Sequence, residues 1–209
     1  MGNTVITIAR SYGSGGRTLG KLLAKELGIN YYDRELIRMA SDESGINEAL
    51  FGEVDEKLKK SPLFRIVKKT YRGEIIPPES GEFVSDDNLF NYQAKVIRQL
   101  AEEESCVIIG RCADYALEER DDVLSVFIHA DLEDRIKNVA KLNELTDNKA
   151  KELIHKTDKR RASYYNYYTN KKWGDAESYD ICINSSKFGV DGCVKAIKDF
   201  LELEASLEE

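Results

Sequence analysis

The sequence predicts an α/β fold in three layers, a five-stranded parallel sheet with helices on both faces. Three observations lead there. The short, wholly apolar run Cys106–Ile109 and the largely apolar Val123–Ile128 are what strands buried on both faces carry. These runs alternate with stretches whose apolar residues recur every three or four positions, the pattern that builds a parallel sheet through crossover helices. Finally, the first strand enters its helix through Ala9–Thr18, in which three glycines, two arginines, two serines and a threonine crowd into the nine residues from Arg10. Strand, glycine-rich turn and helix together make an anion-binding cradle of inward-pointing N–H groups at a helix N-terminus.

In chain order, a strand is expected near residues 4–8. In the loop, Gly13, Gly15 and Gly16 supply the turn, Ser11 and Ser14 polar lining, Arg17 a cation, and Thr18 a hydroxyl able to reach Mg²⁺ directly or through water. The spelling departs from the standard P-loop of Gly, four residues, Gly-Lys-Ser/Thr. With Gly15 as the second motif glycine, Arg10 stands at the first glycine's place and Gly16 at the lysine's. A glycine-rich turn without a ligand is the plainer alternative. Leu19, Leu22, Leu23 and Leu27 keep helical spacing up to Gly28, a C-terminal stop. Residues 29–32 form a second strand ending at Asp33, which either caps the helix running from Arg34 to about Ser44 or faces a ligand at the strand's end. The two roles are compatible.

From Ser41 to Asn88 the pattern loosens, with an acidic-then-basic amphipathic stretch from Phe51 to Lys60 and turn residues at Pro62, Gly73, Pro77-Pro78 and Gly81. A segment this long between strands reads as an inserted helical piece or lid. A helix resumes through Leu89, Val96, Ile97, Leu100 and Ala101 to about Glu104, and leads into the strand at 106–109. Gly110-Arg111-Cys-Ala-Asp114 follows. Arginine at a buried strand end calls for an anion, and a substrate phosphate is favoured over an ion pair with Asp114 or Asp33. Asp114 either orients Arg111 or touches a base.

After the strand at 123–128, a helix from about Asp131 turns Leu132, Ile136, Val139 and Ala140 inward. A second, from Thr146 to Asn170, interleaves Lys156, Lys159, Arg160 and Arg161 with Tyr164, Tyr165, Tyr167 and Tyr168. Most of these residues suit a solvated face with i,i+4 and cation–π contacts. Arg160 and Arg161 are set apart as catalytic candidates, because phosphoryl transfer needs positive charge brought onto the transferring group. A last strand at 179–183, a turn at 185–189 and a helix burying Val194, Ile197 and Leu201 close the chain. The acidic tail from Glu202 is expected to fray.

At 209 residues the chain suits one domain spanning 1–209. A net charge of −7 argues against a general nucleic-acid binder. Cys106, Cys112, Cys182 and Cys193 lack CxxC spacing, which points to reduced thiols in a cytoplasmic protein rather than a zinc site. No membrane-length apolar run or signal peptide is read.

Read together, Ile6–Arg17, Tyr31–Ile37, Ile108–Asp114, Lys159–Tyr165, Trp173–Asp175 and Tyr179-Asp180 make the chain resemble the cytidylate-kinase-like branch of the nucleoside monophosphate kinases. The resemblance implies a P-loop NTPase fold of the adenylate-kinase-like type, with a monophosphate-binding insert at about 41–90 and an arginine-bearing lid at about 146–172. It implies an enzyme moving the γ-phosphoryl group of ATP, with Mg²⁺, to CMP, dCMP or a related small acceptor. Ser11 and the run Gly13, Ser14, Gly15, Gly16, Arg17 and Thr18 would hold the donor, with Thr18 toward the metal. Asp33, Arg111, Asp114 and Arg135 would hold the acceptor side, and Arg17, Arg160 and Arg161 would act on the transferring group. Small nucleotides are the expected partners, without nucleic acid or membrane, on a monomer or weak homodimer. Gly16 and Ile109 depart from the pattern, since well-characterised cytidylate kinases have lysine and aspartate there. A catalytically weak nucleotide-binding regulator of the same fold is the alternative. A partner-binding protein using the tyrosine-rich helix is a third reading.

Overall fold

The sheet is centred on β1 (Val5–Arg10), whose alternation decides which residues face which layer. The computed structural model describes residues 3–54 and 74–207. Around β1 stand β2 (Asn30–Tyr32), β3 (Cys106–Ile109), β4 (Val123–His129) and β5 (Ile181–Asn184), all parallel, in the order β2-β3-β1-β4-β5. Register places Ile8 beside Ile109 on one side and Val126 on the other, so the ends of β1, β3 and β4 lie at one edge of the sheet.

Ile6 and Ile8 point into a cluster with Val107, Ile109, Leu124 and Val126 beneath α1 (Gly16–Leu27) and α8 (Ser185–Leu207), through Leu19, Leu23, Val194 and Ile197. Val5 and Ile108 face the opposite cluster. There, α2 (Glu35–Ser44) supplies Leu36 and Ala40, α3 (Glu48–Val54) Phe51, and α4 (Asp86–Glu103) Leu89, Phe90 and Ile97. Both faces of the sheet are thus covered, and its central strands are mostly apolar. Helix α4 starts at Ser85, whose hydroxyl accepts from Asn88 N–H at 3.3 Å. The fully buried Asn88 side chain then pins residues 76–83 by bonding Ile76 N and O and Phe83 O.

The other helices among the described residues are α5 (Ala113–Ala116), α6 (Leu132–Asn143) and α7 (Asp147–Thr169), with a 3-10 turn at Ala176–Ser178; α6 and α7 pack against each other. Helix α1 stops at Gly28, left-handed at φ 68°, as the leucine spacing requires. Three expectations are corrected. Leu132 is not inward but 38% exposed, because as the first helical residue of α6 it precedes the packed turns. Tyr164 and Tyr165 are buried rather than solvated: Tyr164 meets Phe90 of α4, on which Tyr168 stacks at 4.0 Å between centroids, and Tyr165 turns to Asp114 and Tyr179. The acidic tail is helical to Leu207, continuing α8 past a break at Gly189 (φ 66°, ψ 178°). Of the stretch Phe51–Lys60, the part beyond residue 54 lies outside the described residues, as do Pro62 and Gly73.

Candidate active site

The glycine-rich loop hangs from the C-terminal end of the central strand. Ser11 N–H donates to Ile128 O (3.0 Å), Ser14 N–H to Ser11 O (3.2 Å), and Leu19 N–H to Gly15 O (2.9 Å), which closes the first turn of α1. Gly13 (φ 85°) and Gly15 (φ 80°) occupy left-handed backbone, and a Cβ on Gly13 would lie 2.8 Å from Val139 and 2.9 Å from Arg135 O. Gly15 is the N-cap of α1 and carries no side chain, so no side-chain cap covers the first N–H groups of the helix. The Ser14 hydroxyl is buried without a hydrogen-bond partner. An uncapped helix N-terminus and an orphaned buried hydroxyl in the same turn fit a phosphate group. Thr18 stands exposed in the first turn of α1.

Arg10, Arg161 and Arg111 gather beside this loop. The Arg10 side chain leaves the end of β1, passes Gly16 and brings its guanidinium against Gly110: a Cβ on Gly110 would lie 2.3 Å from Arg10 Nη1. Burial foremost, then the charge of Arg161 and, more weakly, that of Arg111, push the Arg10 pKa down to about 9, while Asp33 opposes them. An arginine so placed keeps its proton at neutral pH, so the site holds a concentrated positive charge. Arg161 Nη1 donates to Arg10 O (2.9 Å), and its guanidinium lies 5.5 Å from the centroid of Tyr12. Burial lowers the Arg161 pKa as well. Arg111 sits in left-handed backbone (φ 62°), followed by Cys112 (φ 51°), a tight exit from β3 that costs strain at two non-glycine residues.

Asp33 does not cap α2, whose N-cap position is Arg34 without a side-chain bond. Buried at the end of β2, it pairs with Arg17 at 2.5 Å. Against the pull of desolvation, Asp33 and Tyr31 raise the Arg17 pKa. Arg135 ties elements together: Nε donates to Tyr12 O (2.8 Å), and Nη2 pairs with Asp158, which also accepts from Tyr12 N–H at 2.8 Å. Asp114 is reached by the Tyr165 hydroxyl at 2.6 Å. Burial raises its pKa, while the Tyr165 bond and Lys171 draw it back.

The structure therefore brings the loop, Arg17, Asp33, Arg111 and Arg161 together around Arg10 at the C-terminal edge of the sheet. Arg160 is the half-buried neighbour of Arg161 on α7, and Asp114 sits deeper, beneath Tyr165. Sequence reasoning missed Tyr12 and Asp158 as the joint between loop and α7. Their one signal was the i,i+3 spacing of Asp158 and Arg161 on a single helix face.

The model of the cytidylate kinase-like family matches residues 5–187. The chain belongs to the cytidylate kinase-like family. Among relatives of this family member, a cytidylate kinase of Methanosarcina barkeri is 27% identical over 88% of both chains. An uncharacterized protein from Eubacterium ventriosum superposes with a TM-score of 0.71 at 30% identity, over 96% of this chain and 98% of that one. A shikimate kinase from Bacteroides thetaiotaomicron shares the fold, with a TM-score of 0.54 at 15% identity over 95% and 98%. Family and fold support a nucleotide kinase, a phosphotransferase using nucleotide and metal. No helix among the described residues is long and apolar enough to cross a membrane.

Proposed function

We propose that this family member transfers the γ-phosphoryl group of ATP to a cytidine-type nucleoside monophosphate, CMP or dCMP. The observation that carries the reading is the convergence of Arg10, Arg111 and Arg161 beside an uncapped glycine-rich loop. So much positive charge, set against Asp33 and, at Arg161, Asp158, has its natural counterpart in two phosphate chains.

In this reading Ser11 and residues 13–18 cradle the donor phosphates through backbone N–H groups and the Ser14 hydroxyl. Thr18 would help hold Mg²⁺, which would neutralise phosphate charge. Arg111 grips the acceptor phosphate, a bidentate task suited to arginine. Arg160 and Arg161 bring lid charge onto the transferring group, and Arg161 already touches the backbone at the end of β1. Arg17 reaches the acceptor side through Asp33. Arg135 holds loop and α7 in place, so that water is expelled as the two anions align. Asp114, under Tyr165, borders the acceptor's base. The chain works on small nucleotides in the cytoplasm, as a monomer or weak dimer.

A second reading, a nucleotide-binding regulator, is favoured by Ile109. This residue packs into the apolar cluster against Gly20, where the characterised kinases have an aspartate. Coupled ADP release with ATP and Mg²⁺, run against CMP, dCMP, other nucleoside monophosphates and hydroxyl-bearing metabolites, separates the two. Turnover dependent on CMP or dCMP is the expected result. Stabilisation by ATP with no acceptor-dependent turnover would favour the regulator.

A further inference from the structure

The loop's two departures from the standard P-loop are in contact. A Cβ on Gly16 would lie 2.7 Å from Arg10 Cβ and 3.1 Å from its Cγ, distances at which two side chains do not coexist without displacement. Arg10 stands at the place of the first motif glycine and Gly16 at the place of the lysine, and α1 begins at Gly16, as that register requires. With Arg10 at one end of the loop, a side chain such as lysine at position 16 has no room. Gly110 forms the other wall. Its Cβ would meet Arg10 Nη1 at 2.3 Å, so the guanidinium passes between loop and the Gly110-Arg111 step through a gap that two glycines leave open.

We propose that Arg10 carries the phosphate-binding charge that a standard P-loop places on its lysine, and that Gly16 is a glycine because it flanks the Arg10 side chain. The charge has changed ends of the loop, but it arrives at the same place, between donor and acceptor phosphates. Arg17, the rival candidate, is half exposed and already paired with Asp33. Arg10 is held at its own carbonyl by Arg161, and its guanidinium lies among Arg111, Arg161 and Asp33. It therefore touches whatever phosphoryl group passes from one side to the other. The inference rests on the phosphotransferase reading for its catalytic part, though its binding part is independent of any acceptor.

The test compares native protein with Arg10→Met, Arg10→Gly, Gly16→Lys and the double exchange Arg10→Gly/Gly16→Lys. For each, ATP and ADP binding is measured by titration calorimetry, folding by thermal melting, and turnover with the acceptor found active. Arg10→Met, which keeps an unbranched stem, is expected to stay folded, bind ATP at least tenfold more weakly and lose about 10²–10³ in kcat. Gly16→Lys alone is expected to melt lower and bind ATP poorly, because two side chains meet. The double exchange is expected to recover at least tenfold of the ATP affinity and turnover that Arg10→Gly loses. Native ATP affinity in Arg10→Met, or a double exchange no better than Arg10→Gly, overturns the proposal. Should no acceptor be phosphorylated by the native protein, the phosphotransferase reading fails, and the ATP affinities still decide whether Arg10 carries the charge. Absence of ATP binding by the native protein overturns both.

Discussion

Asp114 shows how much one burial can decide. Its carboxyl lies under Tyr165, near Tyr179, with Lys171 as the nearby cation that its pKa registers. Because its folded pKa is raised, the folded state binds the proton more tightly than the unfolded chain does. Stability therefore falls as pH rises from the ordinary carboxylate pKa of about 3.9 to the raised folded value. Asp114→Asn keeps an oxygen for the Tyr165 hydroxyl and removes the charge. Its melting temperature at pH 7 should exceed that of the native protein by about 2–4 °C per kcal/mol recovered, with the gain vanishing below about pH 4. Equal melting curves across that range would show that the carboxyl costs nothing where it lies. Asp33 is the contrasting acid. From the sequence it could cap a helix or face a site; only the approach of Arg17 from another element separates these, and no local pattern encodes such an approach.

Among the elements, α1 against the sheet was the most legible, since four leucines and a stop at Gly28 define it without tertiary information. What the sequence did not disclose is how close the helix lies. A Cβ on Gly20 would stand 2.6 Å from Ile109 Cδ1 and 3.3 Å from Ile8 Cδ1. Gly20→Ala should cost about 1–3 kcal/mol by overpacking, less the roughly 1 kcal/mol that alanine gains in a helix. Ile109→Val, which deletes the atom in the way, costs about 0.5–1.5 kcal/mol alone. The double variant should cost less than the sum by about 0.5–3 kcal/mol in urea melts; strict additivity would mean that the two positions do not touch. Helix α7 was the least legible element. Its charged residues hide the face that carries Tyr164 and Tyr168, and the partner of that face, Phe90, lies on a helix far away in sequence.

For the whole molecule, the parallel sheet follows from short apolar runs alternating with helices, and so a site at the strands' C-terminal ends could be expected, whereas the order β2-β3-β1-β4-β5 was not written in any one run. The joint that holds α7 to the loop could not, because Tyr12 and Asp158 are 146 residues apart. Asp158 bonds Tyr12 N–H and Arg135 together, with both members of the ion pair largely buried. Asp158→Asn should lower stability by about 1–3 kcal/mol, since it leaves Arg135 without its charge partner. It should also raise the KM for ATP more than it lowers kcat, because the loop loses its tether while its donors remain. Unchanged ATP KM alongside lowered stability would confine the joint to a folding role.

Trp173 gives this arrangement an optical consequence. It is the chain's single tryptophan, four residues beyond the end of α7, with its ring edge-on to Phe127 of β4 at 5.3 Å between centroids. Excited at the red edge of its absorption, the unlabelled protein emits from one place only, the seam where α7 returns to the sheet. A spectroscopist following that emission through a nucleotide titration watches the seam itself, with the eleven tyrosines silent.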